Sequence, residues 1–227
     1  MKKLFLLLIL FTSVIYLHSQ PLPKVKAEYN YLVYLPKDHQ EKNYPVIVYL
    51  HGSSHSGNDL NKLKKYGLPH AIDKGQEFDF IIISPQCPDG KLWSTENWFE
   101  PLYAELTSKY QIDTSRIYLT GVSMGGGGVF DVAKDHPDKF AALVPLCAWA
   151  SSIDRICNIS HIPIWTFHGT EDNVVPISQT ESKVKALKAC NGNIQFTRLE
   201  NHGHGIQWLY ESQEAYDIYE WMLRYKK

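Results

Sequence analysis

Short apolar runs alternate along this chain with longer stretches whose apolar residues recur at roughly helical spacing. "YNYLVYLP" and "YPVIVYL" precede "GNDLNKLKKYGLPHAIDKG", and "FDFIIISP" precedes "NWFEPLYAELTSKY". "RIYLTGV" leads into "MGGGGVFDVAKDH" and "FAALVPLC" into a short loop or helical turn. "IPIWTFHG" leads into "SQTESKVKALKAC", and "NIQFTRLE" into the terminal "YESQEAYDIYEWMLRYKK". Continuous apolar runs of this length suit strands buried on both faces, and the helical patterns between them supply crossovers. The pattern predicts an α/β protein, a mostly parallel central sheet flanked by helices on both faces. No repeat, low-complexity tract or long linker interrupts it, so one domain is predicted over residues 20–227.

The first 19 residues stand outside the pattern. Lys2 and Lys3 are followed by an uncharged apolar stretch, Leu4 to Leu17, and then by small and polar residues. This is the layout of a secretory signal peptide, shorter than the roughly 20 residues a membrane-spanning helix needs. Cleavage near Ser19 and export to the periplasm or the exterior are therefore expected, the alternative being an uncleaved anchor.

Composition narrows the partners. The chain has 23 basic and 24 acidic residues, and removing the leader leaves 21 and 24, a net charge near −3. Such a balance gives no electrostatic basis for binding nucleic acid or an anionic membrane surface, so a neutral or weakly charged partner is expected. Four cysteines, Cys87, Cys147, Cys157 and Cys190, are too few for a disulfide scaffold, although export permits one or two bridges. Their spacing selects no pairing and matches no zinc motif, and nothing implies a cofactor or metal.

Chemistry concentrates in "LTGVSMGGGG". Gly121-Val122-Ser123-Met124-Gly125 is a G-x-S-x-G pattern between a predicted strand and a predicted helix. Small residues two before and two after the serine allow a strained turn that exposes its hydroxyl as a nucleophile. The amide of Met124, at the start of the following helix, is then aimed at the developing oxyanion. A serine needs a base, and the base an orienting acid, in the chain order Ser, Asp or Glu, His. Asp172, in the loop after "IPIWTF", is the candidate acid; His202 and His204, after "NIQFTRLE", are candidate bases. His51, His161 and His168 suit packing or hydrogen bonding. A second oxyanion donor is expected after "VIVYL", where Gly52 lets the backbone approach and the Ser53 amide follows.

Together, "YPVIVYLHGSSHSGNDL", "FIIISPQCP", "SRIYLTGVSMGG", "FAALVPLC", "IWTFHGTEDNVVP" and "NHGHGIQW" resemble the secreted α/β-hydrolase esterases related to feruloyl esterases, acetylxylan esterases and polyhydroxybutyrate depolymerases. The resemblance runs from about Tyr29 to Trp221 in the family's segment order. It implies an α/β-hydrolase fold with Ser123 as nucleophile, Asp172 as acid and, from the pair Gly203-His204, His204 as base. Two positions depart from the pattern: His55 stands where relatives often carry other polar residues, and Trp208 lies one position later than expected after His204.

Substrate signals are sparser. Only about sixteen residues, Ala148 to Pro163, separate two predicted strands where many lipases insert a helical cap, so no cap and an open site are expected. Trp93, Trp98, Trp149 and Trp208 fall in or beside predicted loops, where they could stack on a sugar or a phenolic acyl group. These features point to a secreted serine esterase acting on feruloyl or acetyl esters of carbohydrates. A prolyl-oligopeptidase-type peptidase, or a non-catalytic carbohydrate-binding protein on the same fold, are the alternatives.

Overall fold

The apolar runs become seven strands: β1 (Tyr31–Tyr34), β2 (Tyr44–Leu50), β3 (Ile81–Pro85), β4 (Ile112–Val122), β5 (Ala142–Leu146), β6 (Ile164–Gly169) and β7 (Ile194–Leu199). Between and after them lie α1 (Leu68–Asp73), α2 (Phe99–Lys109), α3 (Met124–Asp135), α4 (Ser178–Ala189) and α5 (Ile218–Leu223). This computed structural model describes residues 29–227, so the expected leader at residues 1–19 lies outside the described residues. The strands form one sheet in the order β1-β3-β2-β4-β5-β6-β7, with β1 antiparallel to β3 and every other pair parallel.

Alternation along the buried strands divides the core in two. Val46, Val48 and Leu50 of β2 pack with Leu102 and Leu106 of α2, Val129 and Phe130 of α3, and Leu187 of α4. Ile47 and Tyr49 face the opposite side, with Leu68 and Ala71 of α1 and Ile218, Trp221 and Met222 of α5. Both faces are therefore covered, as parallel strands buried on both sides require. No helix of the described residues is long and apolar enough to cross a membrane.

Three expectations change. The helical pattern over residues 57–75 is split: a 3₁₀ turn covers Leu60–Lys65, and α1 begins only after Gly67, whose φ of 74° breaks the helix. At the C-terminus the expected long helix contracts to α5, capped by the Asp217 carboxylate, which accepts from the amides of Tyr219 and Glu220. Trp93 and Trp98 are each only 1% exposed, which removes them as stacking surfaces for substrate. Their indole N–H groups donate to the carbonyls of His51 and Trp93, and their rings pack on each other and on Tyr29. Large aromatic area is more favourably spent in the core when the polar N–H finds a partner there, as it does here.

Cys157 and Cys190 form a disulfide that ties the 3₁₀ turn Ile156–Ile159 to the end of α4, while Cys87 and Cys147 are free and buried. The segment between β5 and β6 carries only that single turn, so nothing caps the carboxyl edge of the sheet there.

Candidate active site

Ser123 sits between the end of β4 and the start of α3 with φ 60° and ψ −116°, a conformation costly for a residue with a side chain. Its amide donates to Leu146 O at 3.0 Å, and its carbonyl accepts from the amides of Gly127 at 3.0 Å and Trp149 at 3.1 Å. The flanking glycines are required by close backbone approach. A Cβ on Gly121 would stand 2.7 Å from both Leu50 O and the Gly125 carbonyl, and one on Gly125 would overlap Leu50 O. The turn is thus wedged against β2, with the serine half-buried at its apex.

The loops after β6 and β7 bring the acid and one histidine together. His204 Nδ1 lies 2.7 Å from Asp172 Oδ2, and Asp172 Oδ1 accepts the amides of Val174 at 2.9 Å and Val175 at 2.8 Å. Burial alone would push the Asp172 carboxyl up, but the His204 hydrogen bond and the two amides outweigh it and hold it below the usual carboxylate range. The carboxylate fixes the Nδ1–H tautomer of His204, leaving Nε2 free to take a proton. His202 turns away: it is exposed, with Nδ1 on Glu200 O at 2.8 Å.

His168 completes the environment of the acid. Its buried Nε2 is 2.9 Å from Val175 O and 3.2 Å from Asp172 Oδ2, both acceptors, so Nε2 carries the proton and Nδ1 accepts from Thr180 Oγ1 at 2.8 Å. Burial lowers its pKa and keeps it neutral. His51 is also buried and hydrogen-bonded, whereas His161 is exposed.

The loop after β2 carries Gly52, Ser53 and Ser54 into the same cleft as Ser123 and His204. The amides of Ser53 and Met124 have no hydrogen-bond acceptor among the described residues, which leaves both available to a ligand. This loop is latched from β3. His51 Nε2 accepts the Cys87 amide at 2.9 Å, so its Nδ1–H donates to Gly52 O at 2.7 Å. Burial lowers the His51 pKa to about 4, preserving that neutral tautomer. Gln86 Nε2 donates to His55 O and to Asp59 O, both at 2.9 Å.

A strained serine at a strand end and a histidine on a buried aspartate, with residues of both loops lining one cleft, are the residue types an acyl transfer requires. Residues 94–217 match the Phospholipase/Carboxylesterase family. The chain belongs to that family. Its sheet and helices have the α/β-hydrolase fold, and a thermostable esterase of known crystal structure superposes with a TM-score of 0.73 at 34% identity, over 87% of this chain and 59% of that one. A bifunctional acetylxylan esterase/xylanase of Neocallimastix patriciarum is 26% identical over 159 residues, 67% of this chain and 23% of that protein. Feruloyl esterase D of Neurospora crassa is 28% identical over 202 residues, 76% of this chain and 67% of that protein. The chain spans only part of each of these proteins.

In this member of the phospholipase/carboxylesterase family the cleft measures about 270 Å³ and is lined by Tyr66, Val174 and Gln207 besides the residues above. Local sequence pattern marks none of these three, because Tyr66 and Val174 lie in loops and Gln207 opens the 3₁₀ turn Gln207–Tyr210, and the paths of such segments are not encoded by periodicity. Trp149 and Trp208 lie outside this lining. Trp149 is 37% exposed beside the Ser123 turn, and Trp208 is half-buried with its ring 5.7 Å from that of His202. Cys147 brings a thiol within 4.8 Å of the Asp172 and His204 ligand atoms, a set a soft divalent ion could bind, although here the carboxylate and imidazole already share a hydrogen bond.

Proposed function

We propose that the chain is an exported serine esterase that hydrolyses acetyl or feruloyl esters of carbohydrates through an acyl-enzyme. The supporting observation is the 2.7 Å contact between His204 and buried Asp172 in the cleft that also holds Ser123. Ser123 Oγ attacks the ester carbonyl carbon as its proton passes to His204 Nε2, and the carbonyl electron pair moves onto oxygen between the amides of Ser53 and Met124. Collapse expels the alcohol oxygen, which takes the proton from His204 and leaves acyl-Ser123. Water then gives a proton to His204 Nε2 as it attacks the acyl carbon; collapse breaks the bond to Ser123 Oγ, which takes that proton from His204, releasing the carboxylic acid and restoring Ser123 and the neutral imidazole.

Substrate class rests on the uncapped cleft and on the names of the relatives, among them an acetylxylan esterase and a feruloyl esterase. Export is supported by the charged-then-apolar leader and by the Cys157–Cys190 bridge, which persists in oxidising compartments.

A fluorophosphonate probe should label Ser123, and purified protein should turn over aryl acetate, feruloyl and acetyl-xylan esters above long-chain triglycerides and peptide amides. An unlabelled, folded protein would overturn the enzyme reading; a clear optimum at long acyl chains or at peptide bonds would overturn the substrate class.

A further inference from the structure

His55 has no part in the acyl transfer described above, yet it is only 1% exposed in the loop that carries the Ser53 amide. Its Nδ1 has no hydrogen-bond partner among the described residues. Burial, helped by the charges of Lys65 and Lys62, lowers its pKa to about 4, so the ring stays a neutral aromatic plane. That plane stacks on Tyr66, with centroids 3.8 Å apart and 25° between the rings. An unpaired buried nitrogen is unfavourable; what the arrangement secures is the orientation of Tyr66.

The phenol so held ends in the cleft with Ser123 and His204. A Cβ built on Gly52 would lie 3.0 Å from Tyr66 Oη and 3.5 Å from Ser123 Cβ. The hydroxyl and the nucleophile therefore flank one point, beside the residue that precedes the Ser53 amide. Tyr66 Oη is also 2.8 Å from Ser54 Oγ, in a contact either oxygen can donate. When Ser54 donates, the Tyr66 proton is free to point into the cleft.

We propose that Tyr66 is a further catalytic residue of this site, its phenol donating a third hydrogen bond to the substrate carbonyl oxygen as that oxygen becomes the oxyanion, beside the amides of Ser53 and Met124. The proposal rests on Ser123 being the nucleophile. No proton is transferred: burial raises the phenol pKa, so the group stays protonated and acts as a donor throughout. A preorganised donor aimed at developing charge is worth more in the transition state than in the ground state, so it acts on kcat. His55 is the platform that makes the donor rigid, and Ser54 the partner that orients its proton.

Tyr66→Phe keeps the ring and its stack on His55 while removing the hydroxyl. On aryl acetates, feruloyl esters and acetyl esters alike, kcat per fluorophosphonate-titrated site should fall by about 10- to 100-fold with KM changed less than about twofold. The affinity of an aryl boronic acid, a tetrahedral mimic, should fall by a similar factor, and Ser54→Ala should lose less than Tyr66→Phe. Titration of active sites keeps a partly folded preparation from imitating a catalytic loss. A kcat within about twofold of the parent on every ester, a loss confined to KM, or a loss confined to one acyl group would overturn the proposal. Ser123→Ala, measured in parallel, separates the two levels. If it retains turnover, the nucleophile assignment falls and takes the Tyr66 role with it; if it is inactive while Tyr66→Phe is unimpaired, only the Tyr66 role falls.

Discussion

The turn that presents Ser123 and the loop that presents Ser53 meet in one cleft but are held in place by opposite means. The turn is held by backbone pressed against backbone. Gly121 and Gly125 touch Leu50, Gly126 and Gly127 lie against the carbonyls of Leu146 and Trp149, and there is no room at any of these positions for a Cβ. The loop is held by side chains and amides reaching across from β3 and beyond: Gln86 on two carbonyls, Cys87 on His51, and Lys62 Nζ on Ser56 O at 3.0 Å. The turn should therefore fail when atoms are added, and the loop when polar atoms are taken away. A strained nucleophile needs rigidity in its own backbone, whereas an amide donor needs only its carbonyl neighbours anchored.

Removing the chemistry at the apex of the turn should have the largest effect. Ser123→Ala should lower kcat by at least about 10³-fold with an unchanged melting temperature, since it deletes the proposed nucleophile and no packing contact. His204→Ala should lose about as much, while His202→Ala, in steady-state kinetics on the same ester, should stay within about threefold of the parent. A reversed ranking would move the base to His202 and break the geometric reading of the β7 loop.

Adding a methyl group tests the turn as a wedge. Gly125→Ala should cost at least about 3 kcal/mol in denaturant unfolding, or prevent folding, because the new Cβ overlaps a carbonyl fixed in β2. Full stability would show that β2 and α3 can separate and would dissolve the contrast with the loop.

Subtracting polar atoms tests the loop. Gln86→Leu should reduce kcat by about 10- to 100-fold, through displacement of the Ser53 amide. Its stability should fall only about 1–3 kcal/mol, the loss expected for stranding the two carbonyls. Unchanged kcat with reduced stability would mean that the latch serves folding alone.

The smallest expected effect lies away from the cleft and calibrates the others. Lys183, on the buried face of α4 and 1% exposed, has its pKa lowered to about 8 by burial. Between about pH 8 and the ordinary lysine value near 10.4 the unfolded chain binds more protons than the folded one, so stability contributed at this position rises with pH across that window. Lys183→Met should flatten that rise relative to the parent in melting curves recorded from pH 7 to 10.5, by on the order of 1–3 kcal/mol. Equal slopes in both proteins would show that the buried amine keeps its charge at low cost.

The sequence by itself determined the features that local pattern can carry. Apolar runs buried on both faces specify strands of a parallel sheet, and glycines two either side of Ser123 specify a turn where backbones touch. The order of Ser123, Asp172 and the 202–204 histidine pair specifies which loops must converge. Tertiary structure alone decided what depends on distant partners. His202 and His204 are two residues apart in one loop, and only the placement of Asp172 at the end of β6 shows which imidazole it accepts. Trp93 and Trp98 read as loop aromatics until the core closes over them and supplies carbonyls for their N–H groups. The same holds for the pairing of Cys157 with Cys190, for His168 on the acid and for Tyr66 in the cleft. Periodicity records which face of an element is buried, but which side chain meets which is set by chain segments dozens of residues apart, brought together only when the sheet has assembled.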